Sequence, residues 1–245
     1  MELCLYTRTD EIAEAHVKGT LVVMVDVLRA SSTILQAWEN GVERVIPVAD
    51  VEDATRLLQT LERKKSLLGG EREGKKIEGF DLGNSPLEYA SRTVRKKTLI
   101  LSTTNGTSAI ALSSSAKEIA VGCFLNLTAV VKHIIASRLK RVVILCAGNS
   151  GQLALEDFVC GGLIVARLGE MSRARLSLND GAVAARATAM SLNDIGDVVR
   201  SSAHGLRLAE LGFEQDLEFC AHIDKYNSVP LVLEGRIAGR DQKAR

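Results

Sequence analysis

The chain has 245 residues, 46% hydrophobic and 25% charged, with 31 Lys plus Arg against 30 Asp plus Glu. That balance excludes the broad basic field of a nucleic-acid binder, and 4% aromatics leaves little for base stacking. No apolar run reaches a membrane span, and the first ten residues lack the basic start and apolar core of a secretory signal. The five cysteines (Cys4, Cys123, Cys146, Cys160 and Cys220) form no Cys-x-x-Cys pair, and His16, His133, His204 and His222 have no ligand spacing. A cytoplasmic protein with reduced, buried thiols, no zinc, no membrane and no nucleic-acid partner is expected.

In chain order, Leu3–Tyr6 reads as a leading strand and Asp10–Val17 as a short helix or turn. Val22–Thr33 follows, the segment around which the rest is organised. Its first half is a nearly continuous apolar run, as in a strand buried on both faces, interrupted by Asp26. Arg29, Ser31, Ser32 and Thr33 come next, then a helix over Ile34–Glu39 stopped by Asn40-Gly41. Val42–Val48 is a second strand, and Asp50 caps a helix with Val51, Ala54, Leu57, Leu58 and Leu61 on one face. Ser66–Leu68 reads as a short strand, and Gly69–Ser85 has no period of either kind.

Pro86–Ala90 starts a short helix, Thr98–Leu101 is a strand, and Ser102–Thr107 is a loop leading to a helix from Ser108. Then come a strand at Glu118–Cys123, a helix at Thr128–Arg138, a strand at Arg141–Cys146 and a small-residue loop at Ala147–Gly151. Asp157–Leu168 is a helix with Gly169 as its stop. Met171–Phe219 is mostly helical, around Ala182–Met190 and His204–Leu211, with Asn179 or Asp180 as a cap. Val229–Leu233 reads as a last strand, and Arg236–Arg245 as a charged tail with little apolar anchorage, a candidate for disorder.

Alternating strands and helices predict an α/β protein, a layered α/β/α arrangement with a largely parallel or mixed sheet. Without a linker the chain reads as one domain, 1–245, with two intimately packed lobes as an open alternative. Three times an apolar strand ends in small and hydroxyl residues before a helix: at Val22–Thr33, Leu99–Thr107 and Val142–Gly151. If these strands are parallel in one sheet, all three loops open on one edge, where α/β sheets bind ligands. Asp26 with Arg29 and three hydroxyls suits a metal ion and an oxyanion held together. The plainer reading is an Asp26–Arg29 pair and a helix cap.

Gly69–Lys76 approaches a phosphate-binding Gly-rich loop, but Lys76 stands where Ser or Thr should be and no helix follows, so that reading is rejected. A flexible charged loop remains, with Glu71 and Arg72 side by side. Thr103–Thr107 offers backbone amides and hydroxyls for an oxyanion, or a simple turn. Glu156 and Asp157 open the helix after the third loop, where acids also suit the helix dipole.

Asp26–Thr33, Gly70–Gly74, Gly79–Pro86, Thr103–Thr107 and Ala147–Gly162 resemble, in order, the motifs of the 2-phosphosulfolactate phosphatase family. Leu211–Cys220, Asp224 and Val229-Pro230 resemble that family's C-terminal part, and Phe80–Pro86 and Asp26–Thr33 are the most specific pieces. The resemblance implies a magnesium-dependent phosphatase that hydrolyses (2R)-2-phospho-3-sulfolactate to 3-sulfolactate and phosphate, a step of coenzyme M biosynthesis. It implies Asp26 and Arg29 in catalysis, and Mg2+ on Asp26 with Glu156 or Asp157. A small anionic phosphoester would be held by Ser31, Ser32, Thr33, Arg72, Asn84, Ser85, Thr103, Thr104, Asn105, Gly106 and Thr107. Leu28 stands where aspartyl-phosphate enzymes carry a second Asp, which favours Asp26 as a metal ligand over Asp26 as nucleophile. Another 2-phospho acid as substrate, a non-catalytic anion sensor and a homodimer are the alternatives.

Overall fold

The computed structural model describes residues 1–103 and 115–238. Its strands are β1 (Glu2–Tyr6), β2 (Leu21–Val25), β3 (Arg44–Val48), β4 (Ser66–Arg72), β5 (Lys75–Lys76), β6 (Thr98–Ser102), β7 (Glu118–Gly122), β8 (Arg141–Cys146), β9 (Ser177–Leu178), β10 (Leu231–Leu233) and β11 (Arg236–Ala238). The α-helices are α1 (Glu14–Val17), α2 (Ala30–Glu39), α3 (Val51–Gln59), α4 (Ser91–Val94), α5 (Leu127–Ser137), α6 (Leu155–Met171), α7 (Asp180–Met190), α8 (Ile195–Ser201), α9 (Ala203–Glu210) and α10 (Glu214–Cys220). The strands form one mixed sheet in the order β5-β4-β6-β3-β11-β10-β7-β2-β8-β1-β9, so the α/β expectation holds. Thr104, Asn105, Gly106, Thr107 and the helix expected from Ser108 lie outside the described residues. No helix among the described residues is long and apolar enough to cross a membrane.

β2 runs parallel between β7 and β8, with Val23 opposite Ala120 on one side and Ile144 on the other. Leu21, Val23 and Val25 point into one apolar core together with Ile134 and Ile164. Val22 and Met24 point into the opposite one with Ile34 and Leu99. Period-two burial on two covered faces therefore explains the uninterrupted apolar run. A third, smaller core of Ala54, Leu68, Phe80 and Ile100 lies where α3 covers the other half of the sheet.

The sheet is not uniformly parallel. β1, β8, β2 and β7 run one way, and β3, β6 and β4 are parallel to one another. Between β7 and β3 come three antiparallel pairings, through β10 and β11, so the second set runs opposite to the first. The expectation of three loops on one parallel edge is thereby corrected. Twist of roughly 20–25° per step turns the sheet by about 100° over the five steps from β2 to β6. The reversed strands thus still deliver their C-terminal ends to a common cavity.

Four local expectations also change. α2 begins at Ala30 rather than Ile34, because Ser31, Ser32 and Thr33 are fully buried within its first turns. Gly69–Ser85 is not a flexible loop. β4 continues to Arg72 and folds back as β5 through a turn with positive φ at both Glu73 (54°) and Gly74 (84°), the backbone a tight hairpin favours. Gly70 makes that extension fit, since a Cβ there would lie 2.1 Å from the Ser102 carbonyl oxygen of β6. α6 passes through Gly169 to Met171. The start of the tail is ordered: Ile237 is buried, and β11 pairs with β10 and β3. The rest of the tail lies outside the described residues.

Candidate active site

A cavity of about 600 Å³ opens where the ends of β2, β4, β6 and β8 meet α9. Asp26, Leu28 and Arg29 come from the β2 end, Glu71–Gly74 from the β4–β5 hairpin, and Thr103 from the β6 end. Asn149 and Ser150 come from the β8 loop, Asn84 from the chain before Pro86, and His204, Arg207 and Leu208 from α9.

Asp26 sits at the floor, 6% exposed. Its Oδ1 accepts from the Ala30 amide at 3.1 Å, and its own amide donates to Ser31 Oγ at 3.0 Å. Among the described residues Oδ2 has no protein donor. Burial pushes the carboxyl up to about 6, opposed by the nearby His204 and the Ala30 amide and reinforced by Glu71 and Glu156. Asp157, also buried, accepts from the Val27 amide at 2.8 Å and so fixes the residue after Asp26. Burial, then Glu156 and Asp26, hold its carboxyl well above the usual range, against the amides of Val27 and Gly148. Glu156, 1% exposed, meets His204 Nδ1 through Oε1 at 3.1 Å, and its buried Oε2 has no hydrogen-bond partner among the described residues.

Buried carboxylates that raise one another call for protons or a cation. Among the described residues no three His, Cys, Asp or Glu side chains are gathered closely enough to hold an ion themselves. Magnesium keeps several waters and takes one or two carboxylates plus substrate oxygens, so Asp26 with the unpartnered Glu156 Oε2 meets its donor chemistry. Asp157 is already engaged with the Val27 amide.

Arg29 lines the cavity but is held by the protein. Nη1 donates to Asp216 Oδ2 and Nη2 to the Gly74 carbonyl, both at 2.7 Å, and the guanidinium lies 4.1 Å over the Phe213 ring. Asp216 Oδ1 accepts in turn from Ser85 Oγ at 2.6 Å, so Ser85 serves the same clamp. The Arg29 partner is therefore Asp216 rather than Asp26.

The α2 hydroxyls are turned into the protein. Ser31 accepts from the Asp26 amide, Ser32 donates to the Val27 carbonyl at 2.8 Å, and Thr33 donates to the Asn84 carbonyl at 2.7 Å. They shape the cavity wall without lining it. Arg72 does line it, pinned by the carbonyls of Glu71 and Ala49 and by Ser102 Oγ. All three partners are neutral, and among the described residues no ion pair cancels its charge. Asn84 and Thr103 line the cavity as well, and the buried Asn84 Oδ1 has no hydrogen-bond partner among the described residues.

Asn149 and Ser150 lie in the strand-end loop Ala147–Gly151 that the sequence marks, whereas His204, Arg207 and Asp216 are not legible as site residues. A lone histidine without ligand spacing carries no local signal. Asp216 lies within Leu211–Cys220, a stretch that stood out only through its resemblance.

No cysteine lines the cavity. Cys123, Cys146, Cys160 and Cys220 are buried, and burial pushes their thiols up, Cys123 to about 12. A thiol reagent at neutral pH is expected to modify the native protein once, at the half-buried Cys4, and all five cysteines in denaturant. Absorbance titration checks this, and a second fast equivalent in native buffer would refute it.

The family described as 2-phosphosulpholactate phosphatase matches the chain over residues 6–235. A probable 2-phosphosulfolactate phosphatase of Clostridium acetobutylicum is 40% identical over 97% of this chain and 100% of its own length. Proteins described in the same words are 39% identical in Caldanaerobacter subterraneus subsp. tengcongensis, over 96% of this chain and 97% of theirs, and 44% identical in Thermotoga maritima, over 87% and 89%.

Proposed function

The chain belongs to the 2-phosphosulfolactate phosphatase family, and from that membership we propose that it hydrolyses 2-phosphosulfolactate to 3-sulfolactate and phosphate with magnesium, in a coenzyme M-type biosynthetic step. The observation that carries this reading is similarity along the full chain, joined to a cavity whose floor is a buried, electron-rich carboxylate, Asp26. Asp26 and Glu156 would hold the ion, which when bound neutralises phosphoryl oxygens and sharpens a water as nucleophile. Water then bonds to phosphorus, the ester P–O bond breaks, and its electron pair leaves with the organic oxygen, which takes up a proton. Arg72, held by the carbonyls of Glu71 and Ala49 and by Ser102 Oγ, would present its positive charge to an oxyanion, and Thr103 lines the same cavity. Asp157 keeps the Val27 backbone in register behind Asp26.

Phosphate release from 2-phosphosulfolactate, assayed with magnesium and with chelator, tests the reading. Release with the metal and loss of release without it are expected. Binding of the ester with no release under any divalent ion would instead favour a metabolite sensor.

A further inference from the structure

2-Phosphosulfolactate carries three anionic groups, a phosphate, a carboxylate and a sulfonate, against two site guanidiniums expected from the sequence, Arg29 and Arg72. Arg29 is neutralised by Asp216 at 2.7 Å, which among the described residues leaves Arg72 as the guanidinium without a carboxylate partner on the hairpin side. Another part of the wall is α9, where His204 and Arg207, three residues apart on one face of the helix, both line the cavity. The Arg207 carboxylate partner is Glu210 of the same helix, at 3.2 Å, with both side chains more than half exposed. Exposed pairs of that kind hold weakly, so the guanidinium is available to a better ligand. His204 is the reverse case. Its Nδ1 is tied to the buried Glu156, which fixes the ring in the wall. Leu208 lines the cavity next to them, an apolar surface suited to a short carbon chain.

We propose that Arg207, with His204 beside it, forms a subsite for the non-phosphate oxyanion of a short phosphorylated acid, a carboxylate or sulfonate, and thereby selects esters that carry one. The proposal rests on the phosphatase reading and adds which residues read the acid. It needs the phosphate at the Asp26 end and the acid group toward Arg207, an arrangement that makes Arg207 specificity-determining rather than catalytic.

Calorimetry on the magnesium-loaded protein tests it with two ligands, inorganic phosphate and 3-sulfolactate. Arg207→Gln is expected to weaken 3-sulfolactate binding by about tenfold and phosphate binding by less than about twofold, the loss of one charge-assisted contact. Arg207→Lys keeps charge without the fork and should fall between. Because Arg207 is exposed, the melting temperature should not move, which separates a lost contact from a damaged fold. His204→Gln should weaken 3-sulfolactate about threefold, and an unchanged affinity removes His204 from the subsite. Equal losses for both ligands, no loss for 3-sulfolactate, or no binding of 3-sulfolactate to the unaltered protein would overturn the subsite. Hydrolysis of 2-phosphosulfolactate by the unaltered protein is scored separately: release with Arg207-independent affinity sinks the subsite alone, and Arg207-dependent affinity without release sinks the reaction alone.

Discussion

Asp26→Asn is expected to lower phosphate release by at least about a thousandfold and, in metal-free protein above pH 6, to raise thermal stability. The first effect follows from losing the charge at the cavity floor while keeping the shape. An amide oxygen can still accept from Ala30, so the loop has no reason to collapse. The second follows from burial. The folded-state carboxyl titrates at about 6, above its ordinary value of 3.8. Between those two values the unfolded chain has released the proton and the folded chain still holds it, so stability falls as pH rises through this window. Above it the penalty is constant, at most about 3 kcal/mol. Asn carries no such penalty. Melts with chelator should therefore show the variant higher by several degrees at pH 7.5 and equal to the parent near pH 4. Magnesium should reverse the order by stabilising only the parent. A variant less stable than the parent at every pH would show that Asp26 is held by the protein alone, without need of a cation.

Asp216→Ala is expected to destabilise the fold by about 3–5 kcal/mol, enough to lower the melting temperature by roughly 10 °C. The Arg29 and Asp216 side chains are each 2% exposed, so removing the carboxylate leaves a guanidinium buried without its counter-charge. Ser85 loses its acceptor at the same stroke. Arg29→Lys should act the same way to a smaller degree. An ammonium keeps the charge but cannot serve Asp216 and the Gly74 carbonyl in one plane while lying over Phe213. A cycle of Arg29→Met, Asp216→Ala and the pair measures the coupling, and additive losses would mean that the clamp contributes nothing as a unit.

Where burial is symmetric the sequence is easily read: β8 spans the expected Arg141–Cys146, and β2 starts within one residue of the expected Val22. Legibility fails where polar residues are buried. Ser31, Ser32 and Thr33 have loop-like composition yet sit inside α2, because their hydroxyls bond backbone groups rather than water. Ile237 is one apolar residue in a charged tail, and pairing on both sides makes it a strand. Charges mislead for a similar reason. Arg29 and Arg72 look equivalent in composition and spacing, but what separates them is a carboxylate 187 residues away from the first. The Asp26 position was readable as a polar break at a strand end. The α9 part of the wall was not, since His204 and Arg207 reach the cavity only through the packing of α9.

The β10–β11 hairpin joins the two oppositely directed halves of the sheet, and among the described residues it follows every other strand in the chain. A chain growing from its N-terminus thus carries β3 and β7 with bare edges until residues 231–238 have emerged. Unpaired edges template wrong partners, and the contacts that close them are long-range and slow to find. Chains that lack residues 231–238 should consequently be the aggregation-prone forms of this protein, with pairing of β10 and β11 acting as the step that makes the fold safe.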